Sequence, residues 1–255
     1  MMKKIIYFDC YMGISGDMTL GACLDLGVDI NELRHELEKL GVDGFRLEAK
    51  RIVKNGFAGT DLDVILTDKD QNDHHHHHGE HHHRTLKSIR EIIEKSSLKD
   101  NVKNTALDIF QVIAEAESKV HGKDVEDVAF HEVGAVDSIV DICGAAICFD
   151  LLGVEEVYCS PLREGTGFIM CQHGALPIPV PAVVNMLPGS NIAIKQTEDI
   201  KTELVTPTGL GILKGTKAIC GSMPEMYVEG TGIGFGKRDT GRLNGLRAIL
   251  GTVME

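Results

Sequence analysis

The segment His131 to Ile142, reading HEVGAVDSIVDI, concentrates His131, Glu132, Asp137 and Asp141 where the chain is otherwise turning apolar. Asp137 and Asp141 stand four apart, so a helix would put both carboxylates on one face, where they repel unless a cation or a basic group lies between them. With His131 and Glu132 they could complete a mixed nitrogen and oxygen site, suited to nickel, manganese or zinc. A structural reading competes on equal terms: Asp137 at a helix N-terminus, Asp141 facing water and His131 bonded to backbone.

Four further stretches could carry chemistry. In DCYMGISGDM, Asp9 to Met18, the glycines permit tight turns. Exposed amides around Ser15 and Gly16 could receive an anion, and Asp9 and Asp17 could hold a metal; a purely structural turn is the competing reading. In QHGALPIPVPA, His173 precedes a stiff proline segment that could hold it as a base or ligand. In TELVTPTG, the hydroxyls of Thr206 and Thr208 and the amide of Gly209 could bind phosphate, although ordinary helix capping explains them as well. GTGIGFGKRD, Gly230 to Asp239, tempts a nucleotide reading with Lys237 behind its glycines. It fails the Walker pattern, because Thr231 occupies the first glycine position and Arg238 replaces the magnesium-touching Ser or Thr. It stands as an anion-binding loop or a glycine-rich connection between strands.

The densest signal is DHHHHHGEHHH, Asp73 to His83, which holds eight of the chain's twelve histidines well inside the sequence. His74, His75, His76, His77, His78, His81, His82 and His83 offer many interchangeable nitrogen pairs, which capture nickel, zinc, copper or cobalt readily but select poorly. This pattern points to metal capture or delivery, with a solvated low-complexity linker as the alternative.

These residues must be positioned by a chain of 255 residues with ordinary hydrophobic (43%) and charged (25%) content, enough for one large domain or two small ones. A formal charge of −12 argues against a nucleic-acid surface and is compatible with cation binding. No uncharged run approaches the roughly 18 residues of a membrane span, and no secretion signal follows MMKKIIYFDC. Seven cysteines without a CxxC pair indicate reduced thiols and a cytoplasmic protein.

The expected fold class is α/β, mixed α+β. Residues 1–67 form an N-terminal lobe, with a strand Lys4 to Phe8, a helix Asp17 to Leu26, a second helix ending near Gly41, and a hairpin of Phe45 to Val53 and Phe57 to Leu66. Residues 68–83 are a His-rich flexible tract. Residues 84–255 form a helical, then mixed, lobe. Its helices are expected at Leu86 to Ile93, Val102 to Val120 and Val136 to Leu152, with a strand near Val157 to Cys159. Pro177, Pro179 and Pro181 force an extended segment before a short helix, and Thr206 and Pro207 read as the cap and first residue of another. Final strands are expected at Met226 to Val228 and Leu246 to Gly251.

Taken together and in order, DCYMGISGDM, EHHHRTLKSIREII, FHEVGAVDSIVDI, HGALPIPVPA, ELVTPTG and GTGIGFGKRD closely resemble the LarC family of nickel-insertion proteins, over nearly the whole chain. The resemblance implies insertion of Ni2+ into pyridinium-3,5-bisthiocarboxylic acid mononucleotide, giving a nickel-pincer nucleotide. The reaction depends on CTP and on Mg2+ or Mn2+. It further implies that His131, Glu132 or His173 takes the proton from the ring carbon, while Asp9, Asp17, Asp137 and Asp141 serve the metal. Ser15, Gly16, Thr206, Thr208, Gly209 and Lys237 would hold the nucleotide. Family members continue past the region of Arg247 to Gly251 into a domain that binds CTP, so a C-terminal LarC domain is an expected partner, as is self-association. The competing readings are a nickel store or metallochaperone, which needs neither a base nor phosphate loops, and an acidic phosphohydrolase in which Asp9 and Asp17 converge on His131, Asp137 and Asp141.

Overall fold

A computed structural model describes residues 2–67, 84–128, 130, 136–171 and 174–254. The chain begins with β1 (Met2–Asp9), α1 (Gly16–Asp25), α2 (Ile30–Glu38) and a hairpin of β2 (Phe45–Lys54) and β3 (Phe57–Leu66). Three helices follow: α3 (Leu86–Lys95), α4 (Asp100–His121) and α5 (Val136–Leu152). Short elements come next, β4 (Glu156–Cys159), β5 (Leu162–Glu164), β6 (Phe168–Cys171), β7 (Gly174–Pro177), α6 (Pro181–Met186) and β8 (Ile194–Gln196). The chain then runs through α7 (Pro207–Gly215), β9 (Ile219–Cys220), β10 (Tyr227–Phe235) and β11 (Gly245–Met254). The expected mixed α and β class is what the structure shows.

One seven-stranded sheet, in the order β2-β3-β10-β11-β1-β4-β9, joins strands from both sides of the histidine tract. β1 sits inside it, antiparallel to β11 and parallel to β4. The apolar run Ile5, Ile6, Tyr7 and Phe8 is buried throughout, as a strand covered on both faces requires. One hydrophobic core takes in Ile6 and Phe8 of β1, Leu20 of α1, Phe110 of α4, Ile139 and Ile142 of α5, and Leu210 of α7. Here α5 is apolar nearly all round, the composition of a helix enclosed by its neighbours.

The glycine-rich stretch at Gly230 to Phe235 is a strand, contrary to the expected loop. Its glycines serve packing. A Cβ on Gly234 would lie 1.9 Å from the carbonyl oxygen of Met18, and one on Gly232 would lie 2.4 Å from that of Ala22. Only bare backbone lets α1 settle this closely onto β10. β10 therefore runs well beyond the expected Met226 to Val228.

Candidate functional site

α1 begins where β1 ends, after a loop pinned at Gly13, whose φ is +78° and whose Cβ would strike the Leu204 carbonyl. Ser15 is the N-cap, and its hydroxyl donates to the Asp17 carboxylate in a short hydrogen bond. Gly16 lies directly against Asp141 of α5: a Cβ there would be 2.2 Å from Asp141 Oδ2. The absence of a side chain at Gly16 is what allows a carboxylate on α5 to reach the start of α1.

Asp141 is half-buried, with its Oδ1 closed off from solvent. Its Oδ1 has no hydrogen-bond partner among the described residues. Burial pushes its pKa well above the ordinary carboxylate range, and the negative charges of Asp17 and Asp137 push further in the same direction. Burial also raises Asp17, against the lowering effect of the Ser15 hydroxyl, the Met18 amide and the Lys237 charge. Asp137 is raised by burial as well, partly offset by the Ser138 amide, which donates to its Oδ1 over 2.9 Å. Three carboxylates at the meeting of α1 and α5 therefore sit where a negative charge is costly and a cation would be welcome.

Asp17 opens into a cleft of about 190 Å³ shared with Ser15, Glu203, Thr206, Lys237 and Arg238. The opposite wall is basic but internally paired. Lys237 bridges Asp61 and Asp63, and although burial lowers its pKa those two carboxylates outweigh the effect and leave it raised. Arg238 reaches Glu203 at 2.7 Å and the Thr202 hydroxyl at 3.0 Å. A second cleft, lined by Lys54, Lys237, Arg238 and Arg242, adjoins the first through Lys237 and Arg238. An anion entering here would meet guanidinium and ammonium groups already oriented by carboxylates.

Other sequence-singled residues fall in different places. Asp9 makes an ion pair with Arg247 at the end of β1. Thr206 caps α7 by accepting from the Gly209 amide at 3.1 Å, so that amide is already used within the helix start. Gly209 itself packs on the Ile14 carbonyl, where a Cβ would lie 2.3 Å away, and Thr208 is buried. His131, Glu132, His173 and His74 to His83 lie outside the described residues. Among the described residues no three His, Cys, Asp or Glu side chains are arranged to hold a metal ion.

A pair missed in the sequence stands on α4. Glu117 and His121 are one turn apart and meet, with His121 Nε2 3.3 Å from Glu117 Oε2. They line a cavity of about 270 Å³ at the starts of α6 and α7. Their E-x-x-x-H spacing was visible in AEAESKVHG and was overshadowed by the denser clusters on either side.

No solved structure matches the chain. The chain is 56% identical over 252 residues to the pyridinium-3,5-bisthiocarboxylic acid mononucleotide nickel insertion protein of Acetivibrio thermocellus, covering 99% of this chain and 61% of that protein. It is 48% identical to the protein of the same name from Lactiplantibacillus plantarum, covering 97% of this chain and 61% of the relative. A putative nickel insertion protein of Dictyoglomus thermophilum is 40% identical over 99% of this chain and 62% of its own length. The chain therefore spans about three-fifths of the curated relatives it matches. The nickel insertion protein family matches from residue 6 to residue 255, across β1, the acidic meeting point of α1 and α5, and both clefts, and the chain belongs to that family.

Proposed function

We propose that this chain takes part in placing nickel into pyridinium-3,5-bisthiocarboxylic acid mononucleotide, the substrate named for its relatives in Acetivibrio thermocellus and Lactiplantibacillus plantarum. The observation that carries the reading is Asp141, whose buried Oδ1 has no partner among the described residues, next to Asp17, which lines a cleft whose other wall is Lys237 and Arg238. A carboxylate without a donor in a low-dielectric site calls for a cation, while the basic wall suits the phosphate of a nucleotide.

The chemistry asks for these parts. Nickel bonds to two thiocarboxylate sulfurs and to one ring carbon, so the proton on that carbon must leave as the metal–carbon bond forms. His131, Glu132 or His173 accepts the proton. Asp137 and Asp141 hold a divalent cation, with Asp17 beside them, and Lys237 with the Ser15–Gly16 turn orients the phosphate. The reaction is a chelatase-type metallation that uses CTP with Mg2+ or Mn2+. The portion of the relatives beyond this chain supplies what is needed to bind CTP. The histidine tract raises the local supply of nickel.

The test is the Asp137→Ala, Asp141→Ala double variant, incubated with nickel, CTP and the bisthiocarboxylic nucleotide, with and without the remaining portion of a full-length relative, while pincer absorbance is followed. Product from the parent chain and none from the variant, at native circular dichroism, supports the reading. Unchanged turnover in the variant removes Asp137 and Asp141 from it, and no product from any mixture favours nickel storage instead.

A further inference from the structure

The cleft of about 620 Å³ beyond Lys237 and Arg238 lies between the end of the β2–β3 hairpin, at Val53 to Asn55, and the loop that joins β10 to β11, at Gly236 to Asn244. Among the described residues, Lys54, Lys237, Arg238 and Arg242 line it against a single carboxylate, Asp239, in a chain whose net charge is −12. A concave surface with this local excess of positive charge draws in an anion despite the charge of the whole. Lys54 has no carboxylate partner among the described residues; its Nζ donates to the Gly236 carbonyl at 3.1 Å and stands 5.2 Å from the centre of the Phe235 ring. Arg242 pairs with Asp199 in the open, 54% against 58% exposed, an ion pair weak enough to be exchanged for a phosphate.

Asn244 belongs to both clefts, is 8% exposed, and holds its amide in one orientation. Its Nδ2 donates to the Arg238 carbonyl at 2.9 Å, and turning the amide over would set oxygen against oxygen. Gly236 makes room for it: a Cβ there would lie 2.6 Å from Nδ2 and 2.9 Å from Oδ1. Oδ1 is left with no hydrogen-bond partner among the described residues. A buried acceptor without a donor is costly, and this one stands where two clefts meet.

We propose that the ribose of a mononucleotide lies against Asn244, one of its hydroxyls donating to Oδ1, with its phosphate among Lys54, Lys237 and Arg242. A bare anion such as chloride or sulfate would answer the cations and leave Oδ1 without a donor, whereas a phosphorylated sugar brings both an anion and hydroxyls. The cleft's volume is within the range of small-molecule pockets. This assignment rests on the insertion reading given above and deepens it. Lys237, common to both clefts, remains the cation that orients the phosphate, and a ribose at Asn244 leaves the pyridinium ring to face Asp17 across the shared ridge. Asn244 is then a specificity-determining residue, which accepts a ribonucleotide and disfavours its deoxy counterpart.

The test titrates the full chain calorimetrically, without nickel, with the bisthiocarboxylic mononucleotide, with its two monodeoxyribose forms, and with the nucleoside that lacks the phosphate. The expected result is a loss of about threefold or more for one deoxy form and about tenfold or more for the nucleoside. Asn244→Ala should no longer tell that deoxy form from the ribose form. Lys54→Met should weaken the mononucleotide about threefold or more and leave the nucleoside unchanged, while Lys50→Met, the same charge change on β2 outside the cleft, alters neither. Equal affinity of the parent for the ribose and both deoxy forms overturns the Asn244 contact, and this outcome decides the matter even if Asn244→Ala does not fold. Equal losses in Lys54→Met and Lys50→Met reduce the cleft to overall charge and overturn it as a phosphate site. Nucleotide bound with the expected pattern but never metallated when nickel and CTP are added would defeat the insertion reading and leave this site standing. Pincer product from a folded Lys54→Met, Asn244→Ala chain with undiminished nucleotide affinity would overturn the site and leave the insertion reading intact.

Discussion

Replacing Glu164 by glutamine should make the protein more stable in mild alkali and no different in mild acid. Glu164 is fully buried at the end of β5. Its Oε1 accepts from the amides of Leu204 at 2.6 Å, Gly165 at 2.7 Å and Val205 at 3.4 Å, while Oε2 has no partner among the described residues. Burial raises its pKa from 4.5 to about 7, the nearby Glu203 charge adds to this, and the three amides resist it. For an acid whose folded pKa is raised, stability is full below the unfolded value and is lost as pH rises through the folded value. At 1.36 kcal/mol per unit, the loss between about pH 4.5 and 7 approaches 3 kcal/mol, an upper figure for a group that relaxation can partly solvate. Glutamine keeps the accepting oxygen and carries no charge, so it removes this slope. Urea unfolding at pH 4 and pH 8.5 measures it: the variant should match the parent at pH 4 and exceed it by roughly 2–3 kcal/mol at pH 8.5. Parallel stability profiles for the two proteins would refute the reasoning. The consequence reaches the site, because the segment Glu164 clamps includes Leu204, whose carbonyl receives the Ile14 amide just before Ser15.

Other substitutions separate packing from chemistry. Gly234→Ala drives a methyl into the Met18 carbonyl and should cost roughly 1–3 kcal/mol or more, read as a lower urea midpoint; an unchanged midpoint would show that α1 can lift off β10 freely. Gly16→Ala meets the Asp141 side chain instead, so pincer formation should fall more than stability does, and equal losses in both would argue against a cation held between α1 and α5. Deleting Asp73 to His83 should slow nickel loading when the metal is scarce and spare it when the metal is plentiful. A uniform loss at all nickel concentrations would move the tract into the reaction itself.

Local chemistry made much of the fold readable. The hairpin expected of Phe45 to Val53 and Phe57 to Leu66 forms, and between its strands Asn55 and Gly56 both take positive φ, as a tight hairpin turn requires. Thr206 caps α7 and Pro207 occupies its first position, as their chemistry predicts, and α5 keeps the bounds read from its apolar run. What could not be read locally depends on distant pairing. Nothing in Lys4 to Phe8 states that β11, over two hundred residues later, lies along one side of it and β4 along the other. The misreading of Gly230 to Phe235 has the same origin. Glycine signals a turn when the chain must bend, and signals close approach when another element presses on it, and only the position of α1 distinguishes the two.

The candidate site shows why a helix with little amphipathic character can still be informative. Before its last three residues, α5 is fully buried except at Asp137 and Asp141, and Asp141 still has its Oδ1 closed off from solvent. The sequence reading considered Asp137 and Asp141 as neighbours on one helix face and looked for a cation between them. The structure adds Asp17 from a different helix, and Gly16 brings the backbone of α1 to within a methyl group's width of the Asp141 side chain. Charging Asp141 costs desolvation, and the nearby Asp17 and Asp137 charges add to that cost, so a cation bound there would offset both.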